Sequence, residues 1–268
     1  MPVSDAAKDA ARDATTSTVF RVLARSGFAA NGVVHILIGG IILAVATGTR
    51  AEADQVGAFK AIATAPLGFV ALWVVAIALW ALALWHVADG LLTRGHRPRK
   101  WGARVSEWSQ ALVFAGLGAV AAAVALGARP NAEETAEDAS RGVLAIPGGV
   151  FLLGAVGAGF AVAGVVFVVM GLRRTFRNKV TIPHSGPGRS LAGLGAIGFV
   201  AKGVALGIIG ILLLVAAVKV DPGAAGGLDG AVDGLLEFPF GRVLAGIVGV
   251  GLIAYGVFCI FRARYARL

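Results

Sequence analysis

The chain has 268 residues, 57% of them hydrophobic and only 15% charged, with a mean hydropathy of +0.83. A soluble domain of this length carries roughly a quarter charged residues, so no room is left for a large soluble catalytic domain. The net charge of +9 does not indicate nucleic acid, because the cations are grouped by loop between long apolar runs.

The N-terminal tail, residues 1–26, mixes Asp5, Asp9 and Asp13 with Lys8, Arg12, Arg21 and Arg25. It has no apolar core before its end, so it is not a signal peptide, and the first apolar run is expected to remain as an anchor. Val19, Phe20, Val22 and Leu23, interleaved with Arg21 and Arg25, fit a short helix along the membrane surface; the plainer reading is a frayed charged tail. Six apolar runs follow, at about 27–48, 67–93, 107–128, 147–172, 191–218 and 239–261. Each is long enough at 1.5 Å per residue to cross a hydrocarbon core of roughly 30 Å. Arg94, Arg97, Arg99, Lys100 and Arg104 follow the second run, Arg173, Arg174, Arg177, Lys179 and Arg189 the fourth, and Arg262, Arg264 and Arg267 close the sixth. The alternate loops are acidic, with Glu133, Glu134, Glu137 and Asp138, then Asp221, Asp229, Asp233 and Glu237. The positive-inside rule therefore predicts a cell (inner) membrane protein with both termini cytoplasmic.

Spacing reveals an internal repeat. Gly27-Phe28-Ala29-Ala30-Asn31-Gly32-Val33 matches Gly198-Phe199-Val200-Ala201-Lys202-Gly203-Val204, and Ser106 to Leu112 fits the same frame with Gln110 at the Asn31/Lys202 position. A Pro-x-Gly opens each even-numbered run: Pro66-Leu67-Gly68, Pro147-Gly148-Gly149 and Pro239-Phe240-Gly241. Recurrence at nearly constant spacing predicts three two-helix units, at 27–97, 98–180 and 181–268. The fold class is an all-α membrane protein of six transmembrane helices, its three hairpins set around a pseudo-threefold axis. Proline suits the first turn of a helix, where its missing N–H has no partner to lose. A short outer helix is expected ahead of it, as at 56–65 and 228–238. Gly203 and Gly207 form a GxxxG that lets helices approach closely in lipid.

These residues resemble the domain-of-unknown-function 1206 family of actinobacterial membrane proteins, in which a paired-helix region occurs three times. The resemblance rests on Gly27-Phe28 with Asn31-Gly32-Val33, Gly198-Phe199 with Ala201-Lys202-Gly203-Val204, and Pro239-Phe240-Gly241 with Ala254-Tyr255-Gly256. It covers the chain from about residue 20 to the end. The middle copy departs most, with Glu107-Trp108 in place of Gly-Phe-like residues. The family implies fold and topology, and no activity.

Ionisable groups inside spans are expensive and mark function by default. The candidate binding residues are Asn31, His35, His86, Asp89, Gln110 and Lys202, all toward the cytoplasmic half of their spans. His35 lies about 12 Å into the first helix, and His86 is at similar depth on the second. Asn31/His35 and His86/Asp89 share helix faces, and Asp89 is the expected partner of Lys202. Such a cluster suits an ion or proton path or a ligand anchor. On the plainer reading Asp89 and Glu107 sit near the headgroups, Lys202 snorkels, and the histidines are packing residues. Two histidines at matched depth also fit bis-histidine haem ligation, a minor reading; no cofactor is expected. The single Cys259 rules out an intramolecular disulfide and a paired-cysteine zinc site, and no metal site is expected. Neither Ser-His-Asp, HExxH nor a Walker loop is present, so no catalytic residue and no enzyme is expected. The leading expectation is a channel- or transporter-like bundle for a small solute or ion, surrounded by membrane lipid. The alternative is a non-transporting scaffold or accessory subunit that binds lipid or a partner protein.

Overall fold

The computed structural model describes residues 9, 12, 16–92, 97–179 and 186–265. The tail residues 1–8, and with them Asp5 and Lys8, lie outside the described residues, as do Asp13, Arg94 and Arg267 of the loop-charge pattern. Nine α-helices are described: α1 (Thr18–Ala46), α2 (Gln55–Ala63), α3 (Gly68–Leu92), α4 (Arg97–Ala125), α5 (Ala132–Leu144), α6 (Gly149–Arg173), α7 (Gly186–Lys219), α8 (Gly227–Leu236) and α9 (Gly241–Tyr265). Six of them, α1, α3, α4, α6, α7 and α9, are long and apolar enough to cross a membrane. Their residues are apolar on nearly every face, which suits burial in lipid rather than an aqueous surface.

α1 starts about nine residues earlier than the first apolar run, at Thr18. Val19 to Arg25 is neither a separate surface helix nor a frayed tail; it is the first two turns of the spanning helix. Phe20 holds that end down by packing on Trp85, with ring centroids 5.8 Å apart.

The Pro-x-Gly motif works differently from expectation. Gly68 N–H donates to Ala65 O (2.9 Å), Gly149 N–H to Ile146 O (2.9 Å) and Gly241 N–H to Phe238 O (2.8 Å). Each proline is thus the second residue of a β-turn ahead of the helix, where its fixed φ is already correct. The third residue has positive φ in two copies, Leu67 at 63° and Gly148 at 79°. The glycine is required by close approach: a Cβ there would collide with Ile62 O, Val143 O or Leu235 O at the end of the preceding short helix. That short helix is present in every copy, as α2, α5 and α8.

The chain divides into two compact units: Met1–Asn31, Ile62–Ala128 and Cys259–Leu268 form one, and Gly32–Ala61 with Arg129–Phe258 the other. The units cut across the expected repeats because the most extensive helix contacts, α3 with α4 and α6 with α7, run from one copy to the next. In the second unit α1 packs on α9 in the same manner. A Cβ on Gly39 would lie 2.5 Å from Gly249 O. At the equivalent positions, one on Gly118 would lie 3.2 Å from Ala76 O, and one on Gly210 2.8 Å from Gly157 O. A second set one or two turns away repeats the pattern. Gly164 meets Gly203 and Gly256 meets Gly32 across backbone contacts, while the α3–α4 junction has the buried Ala83 and Ala111 at these positions. Hairpin contacts within a copy also recur, with Gly27 on Leu82 and Gly198 on Tyr255. The expected GxxxG is therefore half right. Gly203 faces Gly164 and Val168, and Gly210, part of the same expected small-residue face, meets Gly157 and Ala161; Gly207 presents its backbone to Gly164, while a Cβ on it would meet nothing within 4 Å.

Candidate functional site

The first unit holds a buried pair of ionisable side chains between α3 and α4. His86 and Glu107 are 3% and 6% exposed, and His86 Nδ1 lies 2.7 Å from Glu107 Oε2. The surroundings are apolar. Phe114 stacks on the imidazole with centroids 5.4 Å apart, Phe28 meets it edge-on at 6.3 Å, and Leu82 is fully buried beside Phe28 and Phe114. His86 Nε2 is buried and has no hydrogen-bond partner among the described residues. The Arg262 guanidinium lies 4.2 Å over the Phe28 ring, and its Nε is also buried without a hydrogen-bond partner among them. Arg104 closes the end of α3, with Nε donating to Gly90 O (3.2 Å) and Nη2 to Leu91 O (3.5 Å). A cation there completes orphan carbonyls and faces the negative end of the helix dipole. A carboxylate and an imidazole this deep each lose several kcal/mol of hydration, which close pairing offsets only in part.

On the plainer reading Glu107, with Asp89, sits near the headgroups, yet Glu107 is buried. It is buried because it stands at the Phe28/Phe199 position of its copy, where the side chain turns onto the preceding helix. At the equivalent junction of the second unit, Phe167 stacks on Phe199 with centroids 5.6 Å apart and planes 24° from parallel. His86 corresponds to Phe167 and Cys259; Glu107 corresponds to Phe199 and Phe28. The first junction has an ionisable pair where the second has two phenyl rings.

The second unit holds Lys202. Its Nζ lies 3.3 Å from His35 Nε2 and donates to Tyr255 Oη at 3.3 Å. It also sits 4.4 Å over the Tyr255 ring and 5.5 Å over Phe167. Aromatic faces stabilise a desolvated ammonium by up to about 2 kcal/mol. The His35 and Tyr255 rings are 4.8 Å apart. Behind them Phe176, Phe199 and Phe258 form a close pack, Phe176 lying nearly parallel to Phe199 at 5.0 Å.

The six expected residues are thus distributed over two units. Asn31, His86, Asp89 and Gln110 belong to the first, His35 and Lys202 to the second. Asn31 is buried and donates to Cys259 Sγ at 3.7 Å, so Cys259 packs against a polar neighbour. Gln110 turns back on its own helix, its Nε2 donating to Ser106 O (3.2 Å). Asp89 is at the surface, whereas Lys202 is half-buried against His35 and Tyr255. His35 engages Nε2 with Lys202, so haem ligation would require that contact to break. Sequence reasoning missed Glu107 as the partner of His86, and Tyr255 as that of Lys202. The signal available was the repeat frame, which aligns His86–Glu107 with Phe167–Phe199. Among the described residues no group of three His, Cys, Asp or Glu is placed to hold a metal ion.

The short helices of the second unit carry an acidic group. Asp229 Oδ1 accepts from Ala53 N–H (2.7 Å), Asp54 Oδ1 caps α2 by accepting from Gly57 N–H (2.8 Å), and Lys60 pairs with Glu52 at 2.6 Å. Burial first, then neighbouring carboxylates, pushes Asp54, Asp229 and Glu133 above their ordinary values; Asp233 is the largest charged neighbour of Asp229.

The family model described as Domain of Unknown Function (DUF1206) matches the chain three times, over residues 26–93, 108–174 and 197–266. A Bacillus subtilis (strain 168) protein, described as uncharacterized protein YxxB, is 28% identical over 249 residues, covering 91% of this chain and 90% of the relative. No solved structure matches the chain.

Proposed function

The chain belongs to the Domain of Unknown Function 1206 family, and for it we propose a channel- or transporter-like role in the cell (inner) membrane, passing an ion or small polar solute through a bundle of three hairpins. Both termini are cytoplasmic in this reading, and no enzymatic step is involved. The recurring packing of the second helix of each copy on the first helix of the next, with α9 returning to α1, supports a pseudo-threefold ring. The observation that carries the transport reading is the His86–Glu107 pair (2.7 Å) at the position where the sister junction has Phe167 and Phe199. Packing alone is better served by two phenyl rings, because replacing a buried ion pair by apolar residues is often neutral or stabilising. An ionisable pair retained inside a span therefore favours passage of something charged or polar.

A non-transporting scaffold is favoured by one feature, the close pack of Phe167, Phe176, Phe199 and Phe258. The test is purified protein in liposomes, with proton flux read by internal pyranine and cation or anion flux by matched dyes. Transport predicts flux above protein-free liposomes that falls in Lys202→Ala and Glu107→Gln at unchanged stability. Flux at the protein-free level for every probe, or full activity in both variants, refutes it in favour of the scaffold.

A further inference from the structure

We infer that His86 Nε2 is a proton-loading site, and that the His86–Glu107 pair carries protons as the bundle's transported or coupling ion. This rests on the transport reading and deepens it. The geometry fixes the two nitrogens differently. Nδ1 faces the Glu107 carboxylate at 2.7 Å, so the proton on Nδ1 is donated to Oε2 and the neutral ring presents a bare lone pair at Nε2. Nε2 is buried and has no hydrogen-bond partner among the described residues.

In the unloaded state the pair is neutral imidazole plus carboxylate, with net charge −1. A hydronium ion gives one proton to Nε2: its O–H bond breaks, the electron pair stays on the water released, an N–H bond forms, no bond within the pair breaks, and the pair becomes imidazolium plus carboxylate, with net charge zero. Apolar surroundings favour that change, because a net charge beside Phe28, Phe114 and Leu82 is worse solvated than a close ion pair. Two features oppose it. The loaded Nε2–H is a buried donor with no acceptor among the described residues, and the charged neighbours include two cations. These are Arg104 on α4, which bonds the last turn of α3, and Arg262 on α9, over Phe28. Asp89, three residues along α3, is the acidic neighbour at the surface. From α1 the contact is the uncharged Phe28. A bare, buried Nε2 beside a carboxylate-paired Nδ1 is what a relay needs and what a structural salt bridge does not use. The sister junction lacks any such atom: Phe167 and Phe199 hold the same two positions.

Two measurements test the inference. In the first, protein with 15N-labelled histidine in lipid nanodiscs is titrated across roughly pH 4–9, the His86 signals being assigned by their loss in His86→Phe. The expected result is a bare Nε2 that becomes protonated as pH falls while Nδ1 stays protonated, with the midpoint moving in Glu107→Gln. A ring that carries its proton on Nε2 throughout, or never titrates, overturns the inference. In the second, the His86→Phe/Glu107→Phe double variant rebuilds the sister junction, and its folding is checked by gel filtration and melting. Its proton flux in pyranine-loaded liposomes is expected to fall at least tenfold, and full flux in the folded double variant overturns the relay. If wild-type liposomes show no flux of any kind, the transport reading fails, and the relay with it. If another solute moves while protons do not, the transport reading stands and the relay alone is refuted. A double variant that does not fold leaves the titration as the deciding result.

Discussion

Alanine at Gly164 tests whether the junctions are set by backbone contact. A Cβ there would lie 2.7 Å from Gly203 O, 2.7 Å from Gly207 N and 2.9 Å from Gly207 Cα. The shortest of these is 0.7 Å inside the 3.4 Å at which ordinary contact begins. All three atoms are backbone, so no rotamer change relieves the clash and α6 must move off α7. A gap of that size forfeits a quarter to a half of each dispersion contact along the seam, and overpacking of this kind costs about 1–3 kcal/mol. The helix-propensity gain of alanine over glycine recovers at most about 1 kcal/mol. A net loss of about 1–2 kcal/mol corresponds to a melting temperature lower by about 2–8 °C. Gly207→Ala is the matched control, because a Cβ there meets nothing within 4 Å, and it should melt at or slightly above wild type. The assay is size-exclusion after a temperature series in one detergent. If Gly164→Ala melts like wild type, or the two variants fall together, the close approach does not set the junction.

Gly149→Ala should destabilise similarly, by about 1–3 kcal/mol, because its Cβ is directed at Val143 O; the same melting series reads it. Glu107→Ala leaves the imidazole beside an apolar gap and should cost about 3–5 kcal/mol, whereas His86→Phe/Glu107→Phe should melt at or above wild type; a double variant less stable than the single one contradicts the repeat alignment. The acidic helices should tighten as pH falls. Asp54 and Asp229 have folded-state values raised above 3.8, so the cost of their charge is fully present above the raised values and gone below the ordinary one. Hydrogen exchange of the Ala53 amide, corrected for its intrinsic pH dependence, should show more protection on the acidic side of neutral, and Asp54→Asn should flatten that trend. More protection at alkaline pH refutes the assignment.

The spans, the repeat frame and the Pro-x-Gly punctuation were legible because lipid imposes length and composition directly, and a turn imposes its residue types directly. Helix α5 was less legible: Ala132 to Leu144 is amphipathic and acidic, and its start is fixed by the Asn131 cap, which accepts from Glu133 N–H (2.9 Å), rather than by an apolar run. Individual polar partners were not legible from single helices. His86 and Asp89 share a face, which suggested that they act together, but Glu107 on the next copy is the residue that reaches the ring. The direction of Gly207 was not legible either, since a GxxxG shows which residues are small without showing which way each Cβ would point: Gly207 offers its backbone to Gly164, but its own Cβ direction is open. The sequence singles out Lys202 as a cation within an apolar run, while its aromatic surroundings come from Phe167 and Tyr255 on two other helices.

The seam between α1 and α9 bears on how the chain is made. Gly32 and Gly39 on α1 find their backbone partners at Gly256 and Gly249 on α9, so α1 is matched to a helix far from it along the sequence. The α3–α4 and α6–α7 seams join helices that follow one another in the chain, but the glycine face of α1 stays unmatched until α9 is in place. Joining ends this far apart along the sequence is the slowest kind of contact to form. A truncation anywhere before α9 therefore removes a helix and also leaves the α1 glycine face without its partner.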